Sequence, residues 1–184
     1  MTTKQFFTIL AAVSCIAMLA CGQSNDKQNN SVNNPVGIQG TSNKFADNIP
    51  KPTGYVNDYE KIFSENQEIT LDSLIKAVQK QTNIEIAIVT LDSSQTTAEA
   101  FDDLMLKIAQ QWGVGKKDKD NGILIGLSSS LRKIRIQNGY GIEKVLSNEE
   151  TKKIIDTYLI PQFKKGNYFE GTRQGIIALT DKLK

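Results

Sequence analysis

The stretch Ile84–Leu91, IEIAIVTL, is the part of the sequence that decides the fold. It is short, rich in β-branched residues and apolar on both sides, which is typical of a strand buried on both faces of a sheet. A second run of this kind, ILIGLS at residues 123–128, follows an amphipathic helical pattern. Strand, helix and strand in this order form a βαβ unit, so we expect the two strands to be parallel.

The segment after ILIGLS predicts a further strand. In RKIRIQ, residues 132–137, apolar and basic side chains alternate, as they do along a half-exposed strand at the edge of a sheet. Only a short connection separates it from the preceding strand, which indicates a hairpin. An antiparallel edge strand beside a parallel pair makes the predicted sheet mixed.

Helices are predicted on both sides of these strands. Three capping boxes, in which Ser or Thr precedes Gln or Glu by three residues, mark helix starts, and a glycine or proline marks two of the ends. The resulting helices run from Ser64 to about Thr82, from Thr96 to a cap at Gly113, from Ser147 to a stop at Pro161, and from about Asn167 to Leu183.

The composition excludes several classes of function. With 22 basic and 20 acidic residues the chain is almost neutral, which argues against a nucleic-acid-binding protein. It has no histidine, so no imidazole base, imidazole metal ligand or Ser-His-Asp triad can operate. Any catalysis would have to use other groups.

The N-terminus predicts a lipoprotein signal peptide over residues 1–20. A basic Lys4 precedes a largely apolar stretch that is too short to span a membrane but suits a signal peptide. The stretch ends in IAMLACGQS, which resembles a bacterial lipobox with Cys21 as the acylated residue. Cys15 is a poorer candidate, because cleavage there would leave an apolar tail. The alternative is an ordinary secretory signal or a short anchor.

Residues 21–52 are expected to be a flexible tether. They follow the lipidated cysteine and are rich in Asn, Ser and Gln, a composition that cannot bury enough apolar surface to form a core. The globular domain is expected to occupy residues 53–184, with folded structure beginning near Tyr55. With Cys15 removed and Cys21 acylated, the mature protein would have no free thiol.

Three local features have simple structural interpretations. KKDKDNG at residues 116–122 lacks the spacing of an EF-hand loop, and on local sequence it is a turn. Gly139-Tyr140-Gly141 lacks the third glycine of a dinucleotide fingerprint, which leaves a tight turn. Trp112 is interpreted as a core residue. The basic residues are expected to solubilise a turn and protect a sheet edge: Lys116, Lys117, Lys119, Arg132, Lys133 and Arg135.

The order of several motifs resembles that of the TPM-domain family. These are VNDYEKIFS, QKQTNIEIAIVTL, AQQWGVGKKDKDNGILIGLS, RKIRIQNGYGIEKVLSNEE and PQFKKGNYFEGTRQGI, and the resemblance extends over about residues 52–183. The family includes bacterial envelope proteins and a thylakoid-lumen protein linked to photosystem II repair. It implies an α/β fold, a three-layer α/β/α sandwich around a small mixed β-sheet.

The resemblance also implies a divalent-cation site. The family's acidic residues in the V-x-D and D-N-G segments correspond here to Asp58 and Asp120, with Asn121 beside the second. Ca²⁺ is the expected ion, since it prefers such oxygen ligands. We expect the two carboxylates to approach one another at one end of the sheet. The loop-shaping glycines would be Gly122, Gly139 and Gly141.

The leading hypothesis is a monomeric, lipid-anchored envelope protein, on the periplasmic side or at the cell surface. It would bind a divalent cation and an envelope protein partner, as an accessory module in membrane-protein assembly or quality control. The alternative implied by the resemblance is a metal-dependent acid phosphatase. That activity would need a cation to polarise the phosphoryl group, and the sequence shows no obvious nucleophile.

Overall fold

The computed structural model describes residues 44–115 and 120–184 of the chain. The predicted signal peptide, Cys21 and the tether as far as residue 43 lie outside the described residues. Residues 116–119, which contain the first lysines of KKDKDNG, also lie outside them. The described residues thus comprise the predicted globular domain, without residues 116–119, and the last nine residues before it.

A four-stranded sheet in the order β1-β2-β3-β4 forms the middle of the fold. The first three strands are parallel, and the fourth is antiparallel to its neighbour. The strands are β1 Val56–Asp58, β2 Glu85–Thr90, β3 Gly122–Ser128 and β4 Lys133–Asn138. The predicted parallel pair, the hairpin and the mixed sheet are confirmed.

Seven helices of the described chain surround this sheet. A π-helical turn, Ile155–Leu159, joins two of them. The helices are α1 Lys44–Asp47, α2 Glu65–Thr82, α3 Phe101–Trp112, α4 Tyr140–Glu143, α5 Asn148–Ile154, α6 Ile160–Phe163 and α7 Tyr168–Lys182.

Each face of the sheet has its own hydrophobic core. Ile86 and Ile88 of β2 point towards α2, α5 and α7, whereas Ala87 and Val89 point towards α3. The predicted three-layer sandwich is therefore confirmed. Because α2 and α3 lie on opposite faces while the strand order advances in one direction, the two βαβ crossovers have opposite hand, and one departs from the usual right-handed rule.

Two of the three predicted capping boxes are confirmed. Ser64 with Gln67 opens α2, and Ser147 with Glu150 opens α5. The third prediction was wrong. Thr96 is buried and its hydroxyl donates to the Thr97 carbonyl, so α3 begins only at Phe101.

Pro161 does not end the helix that precedes it, as the sequence had predicted. The chain passes from α5 through the π-helical turn into α6, and Pro161 stands in the first turn of α6. The Ile160 N–H donates to the Ile155 carbonyl, a hydrogen bond over five residues. The wider turn accommodates a residue that has no N–H of its own to donate.

The start of the folded chain also differs from the prediction. Residues 44–52 were assigned to the tether, yet Ile49 is buried against α3. The Trp112 indole N–H donates to the Pro50 carbonyl at 2.7 Å, and the Gln111 amide donates to the Ile49 carbonyl at 3.1 Å. The segment is polar in composition, but it is held by one buried apolar side chain and by two backbone carbonyls that accept hydrogen bonds from side chains of α3.

Candidate functional site

At the N-terminal end of the parallel strands, three chain segments cross in backbone contact. A Cβ on Gly122 would lie 1.9 Å from the Val114 carbonyl oxygen, and one on Gly139 would lie 2.3 Å from the Asp120 carbonyl oxygen. The Gly139 N–H donates to the Gly122 carbonyl at 2.8 Å, and the Gly141 N–H donates to the Asp120 carbonyl at 3.0 Å. The D-N-G and G-Y-G segments thus meet, and glycine at 122 and 139 is required by this close approach.

The same junction fixes the conformation of Asp120 and Asn121. Asp120 adopts a left-handed backbone conformation, with φ 47°. Asn121 is buried, and its side-chain amide donates to the Asn83 carbonyl. The Asp120 side chain is exposed, and its carboxylate forms no hydrogen bond or ion pair with another described residue. Asn121 therefore holds the turn, and Asp120 faces solvent.

Asp120 lines a cleft of about 670 Å³ between the end of α3, β4 and the start of α4. Leu106 and Tyr140, which are 42% and 76% exposed, stand beside it. Arg135 and Glu143 add one charge of each sign. The cleft is therefore bordered by two large apolar or amphipathic side chains and by three ionisable ones.

At the opposite end of the sheet, Asp58 is occupied by internal hydrogen bonds. Its carboxylate accepts from the Ile62 N–H at 3.2 Å, from the Phe63 N–H at 2.8 Å and from the Thr90 hydroxyl at 2.5 Å. Burial raises the pKa of the nearby Glu68, and the negative charge of Asp58 raises it further. The Asp58 carboxylate thus fixes the loop between β1 and α2.

Glu60 has a similar structural role two residues later. Its carboxylate accepts from the Ser129 and Ser130 N–H groups, both at 2.7 Å. These two donors belong to the turn between β3 and β4. The loop after β1 is therefore tied to the hairpin by a carboxylate, and charge-assisted bonds of this kind are stronger than neutral ones.

The expected approach of Asp58 and Asp120 is wrong. Asp58 ends β1 and pairs with Thr90, whose own partner is Leu127 near the end of β3. Asp120 precedes Gly122, which begins β3. The five residue-to-residue steps from Gly122 to Leu127 alone extend roughly 17 Å along the strand, so the two carboxylates cannot share one ion.

The two carboxylates also differ in how well they suit a cation. Asp120 has an exposed carboxylate, which is an oxygen ligand of the kind that a hard ion such as Ca²⁺ prefers. Both oxygens of Asp58 already accept hydrogen bonds, and the Asn121 amide nitrogen donates to the protein. Among residues 44–115 and 120–184 there is no group of three Cys, Asp or Glu side chains placed to hold a metal. A site here would rest on Asp120.

Four residues of the cleft were not singled out as site residues from the sequence: Leu106, Arg135, Tyr140 and Glu143. Arg135 had been grouped with Arg132 and Lys133, but the structure separates them, because Arg132 and Lys133 line another groove at the far end of β4. The only sequence signal for Arg135 was the alternation of apolar and basic residues in RKIRIQ. Alternation shows on which side of the strand a residue lies, but it does not show which helix packs beside that residue.

In the part of the chain that the structure describes, no helix has the length and apolar character needed to span a membrane.

The chain is similar to known proteins in both its sequence and its fold. The family model described as TPM domain matches residues 56–182. The solution structure of the N-terminal domain of a protein from P. gingivalis is similar, with 35% sequence identity and a TM-score of 0.63, over 71% of this chain and 82% of that chain. No curated protein matches the sequence.

Two more distant solution structures share the fold. The BA42 protein from the psychrophilic bacterium Bizionia argentinensis has 22% identity and a TM-score of 0.59, over 68% of this chain and 83% of that chain. The N-terminal domain of the cg2496 protein from Corynebacterium glutamicum has 14% identity and a TM-score of 0.56, over 72% of this chain and 81% of that chain.

Proposed function

This chain belongs to the TPM-domain family, and from that premise we propose that it is an interaction module of the bacterial cell envelope. It is held at a membrane through acylated Cys21, and it receives a protein partner in the cleft beside Asp120. A divalent cation at Asp120 forms part of the contact surface. The role in membrane-protein assembly or quality control follows from the family resemblance.

The observation that supports this proposal most directly is the cleft itself. The D-N-G and G-Y-G segments meet there, and their glycines allow the backbones to touch. Leu106 and Tyr140 expose apolar surface beside charged groups. Partly exposed aromatic and aliphatic side chains with a polar rim are typical of sites that bind another protein.

The cation site proposed here depends on one carboxylate. Asp120 and nearby backbone carbonyls would supply oxygen ligands, and water would complete the coordination sphere of a Ca²⁺ ion. Few protein ligands imply weak binding, roughly in the 10⁻⁴–10⁻³ M range of extracellular calcium modules. The bound ion would offset the negative charge of Asp120 and hold the rim of the cleft.

The phosphatase alternative has less support. Metal-assisted hydrolysis needs a positioned cation and an activated nucleophile. The described residues contain no three-carboxylate group, and the whole sequence lacks histidine. Hydrolysis of phenyl phosphate by the wild type, abolished by Asp120→Ala, would reverse this preference.

The membrane anchor is tested separately from the cleft. Mass spectrometry of the protein extracted from membranes should show an acylated N-terminal Cys21. An N-terminus at another residue, without acyl chains, would contradict the anchor while leaving the proposal for the cleft open.

Site-specific photo-cross-linking in intact cells tests the cleft. A photoreactive residue at Tyr140, 76% exposed inside the cleft, should form a cross-link to a distinct envelope protein. The same residue at Tyr158, which is 41% exposed on the π-helical turn, is the matched control. No cross-link at position 140, or the same products at both positions, would contradict a partner in the cleft.

A further inference from the structure

A second groove, of about 520 Å³, lies between the β3–β4 turn and the turn between α6 and α7. Its basic residues are Arg132, Lys133 and Lys164, and no acidic side chain lines it. Phe163 and Tyr168 form its apolar part, with their ring centroids 4.9 Å apart. The groove thus combines positive charge with an aromatic surface.

The three basic side chains form no ion pair with another described residue. The ion pairs found in residues 44–115 and 120–184 involve other lysines and another arginine. The Glu60 carboxylate binds the turn that carries Arg132 but forms no ion pair with these cations. A second acidic residue, Glu99, is influenced by Lys133. Its own backbone N–H and the Thr97 hydroxyl lower its pKa, and the charge of Lys133 makes a smaller contribution. The positive charge of the groove is therefore largely available to an external anion.

The β3–β4 turn, which carries Arg132 and leads directly into Lys133, is held in place. Glu60 accepts from two successive N–H groups of this turn. Arg132 adopts a left-handed conformation, with φ 52°, and its N–H donates to the Ser129 carbonyl at 3.2 Å. A residue other than glycine is uncommon in this conformation, and the hydrogen bonds of the turn maintain it. The basic groups therefore project from a fixed support.

The described chain begins at the same end of the sheet as this groove. The ring of Phe45 in α1 packs edge-to-face on Tyr59, with centroids 5.5 Å apart. Tyr59 precedes Glu60, whose carboxylate holds the β3–β4 turn. The cleft at Asp120 lies at the other end of the sheet.

We propose that this groove docks on the phosphate-bearing headgroups of an anionic membrane, the same membrane that holds the acyl chains of Cys21. Arg132 would bind phosphate oxygens through its planar guanidinium, and Lys133 and Lys164 would act as point charges. Phe163 and Tyr168 would lie at the level of the headgroups, where aromatic side chains are favoured. The proposal rests on the lipid anchoring proposed above. It leaves the cleft facing away from the bilayer, towards a partner.

The test uses the acylated protein reconstituted in vesicles. A fluorescent probe is attached at Lys165→Cys, next to the groove, and vesicles contain a nitroxide-headgroup lipid as the quencher. The matched position is Gln110→Cys, which is exposed at the cleft. Quenching at position 165 should exceed quenching at position 110 in phosphatidylglycerol vesicles, and the difference should disappear in phosphatidylcholine vesicles.

A charge variant makes this test specific to the groove. Each removed basic contact should weaken docking about 5-fold, so that Arg132→Gln/Lys133→Gln/Lys164→Gln should lower the docked-to-undocked ratio on the order of 100-fold. The control, Lys80→Gln/Lys107→Gln/Lys144→Gln, removes the same charge from exposed sites outside the groove. It should change quenching little, because charges farther than about 10 Å are screened at 0.1 M salt. Equal loss in both variants would contradict a specific groove.

Three further outcomes separate the possible causes of failure. If the protein does not float with vesicles and carries no acyl chain, the anchor itself is wrong. If it floats but quenching at positions 165 and 110 is equal in phosphatidylglycerol, the anchor stands and docking by the groove is refuted. Inorganic phosphate that abolishes quenching, when sodium chloride of equal ionic strength does not, would assign the groove to a soluble anion and overturn headgroup docking.

Discussion

Asp58 and Asp120 lie at opposite ends of one sheet, Asp58 at the C-terminal end of the parallel strands and Asp120 just before β3 begins. Asp58 is occupied by hydrogen bonds from its own loop and from β2, whereas Asp120 is exposed in a cleft. Two acidic motif residues thus have different roles. One organises the fold, and the other is available to a ligand.

Asp58→Asn should destabilise the protein by about 1–3 kcal/mol, because an amide cannot satisfy all three donors that now contact the carboxylate. Urea unfolding measures this loss. Asp103→Asn, at an exposed position in the first turn of α3, is the control and should change stability by less than about 0.5 kcal/mol. Equal effects of the two substitutions would mean that the Asp58 hydrogen bonds contribute no net stability.

Gly122→Ala should cost about 1–3 kcal/mol or more, since the new methyl group would overlap the Val114 carbonyl oxygen and neither backbone can move without disturbing the junction. Gly54→Ala is the matched control, because a Cβ at this position would lie 3.9 Å from the Asp72 side chain, an ordinary van der Waals distance. Urea unfolding of both variants decides the point. A Gly122→Ala protein as stable as Gly54→Ala would show that the contact is not close in solution.

The acid dependence of stability should differ in sign for two glutamates. Burial and then the charge of Asp58 raise the pKa of Glu68 above its usual 4.5. Its ionised form therefore opposes folding, so Glu68→Gln should stabilise the protein at pH 7. That gain should disappear as the pH falls through the raised pKa and below 4.5, where the glutamate of the wild type is protonated.

Glu150 should behave in the opposite way. The Ser147 N–H and then Lys182 lower its pKa, so its ionised form favours folding. Glu150→Gln keeps an acceptor for the capping box but loses the charge. It should destabilise the protein at neutral pH, and the difference should vanish as the pH falls below 4.5 and through the lowered pKa. Urea unfolding of Glu68→Gln and Glu150→Gln at pH 7 and at pH 3 gives the change in the free energy of unfolding for each variant. Changes of the same sign at pH 7 would contradict the opposite roles of the two glutamates.

Trp112→Phe should loosen the segment before β1, because it removes the indole donor to the Pro50 carbonyl while retaining an aromatic ring. The expected loss is about 1 kcal/mol, the net value of one hydrogen bond. Limited trypsin digestion gives a more specific result, since cleavage after Lys44, at the start of this segment, should accelerate relative to cleavage after Lys80 in α2. An unchanged ratio would show that Trp112 does not hold this segment.

Much of the fold was predictable from the sequence because its local signals agree with its packing. The β-branched runs of β2 and β3 and the alternation of β4 correspond to their burial, and Ser64 and Ser147 cap helices as their spacing predicts. The capping box predicted at Thr96 was wrong because the same residue spacing also occurs by chance in loops. Here the threonine is buried, and its hydroxyl binds the neighbouring Thr97 carbonyl instead of a helix N–H. The helix end predicted at Pro161 was wrong because residue spacing does not reveal the π-helical turn that lets the helical chain continue past it.

The candidate site was less predictable, for a geometric reason. Strand β1 has only three residues, too few to show alternation, so the sequence analysis predicts no strand that contains Asp58. Without β1, nothing in the sequence shows that Asp58 ends a strand while Asp120 precedes one parallel to it. In parallel strands those positions lie at opposite ends. The cleft itself depends on how α3 lies beside β4, and residue patterns do not give that relation.

The most direct test of the proposed site is a Ca²⁺ titration followed by amide chemical shifts, with the wild type compared with Asp120→Asn and Asp58→Asn. The wild type should show saturable shifts at Gly139 and Gly141, whose backbones contact Asp120. Asp58→Asn should bind with the same affinity, and Asp120→Asn should show no saturable shift there. Absence of binding by the wild type, or binding that Asp120→Asn leaves unchanged, would contradict the cation site at the cleft.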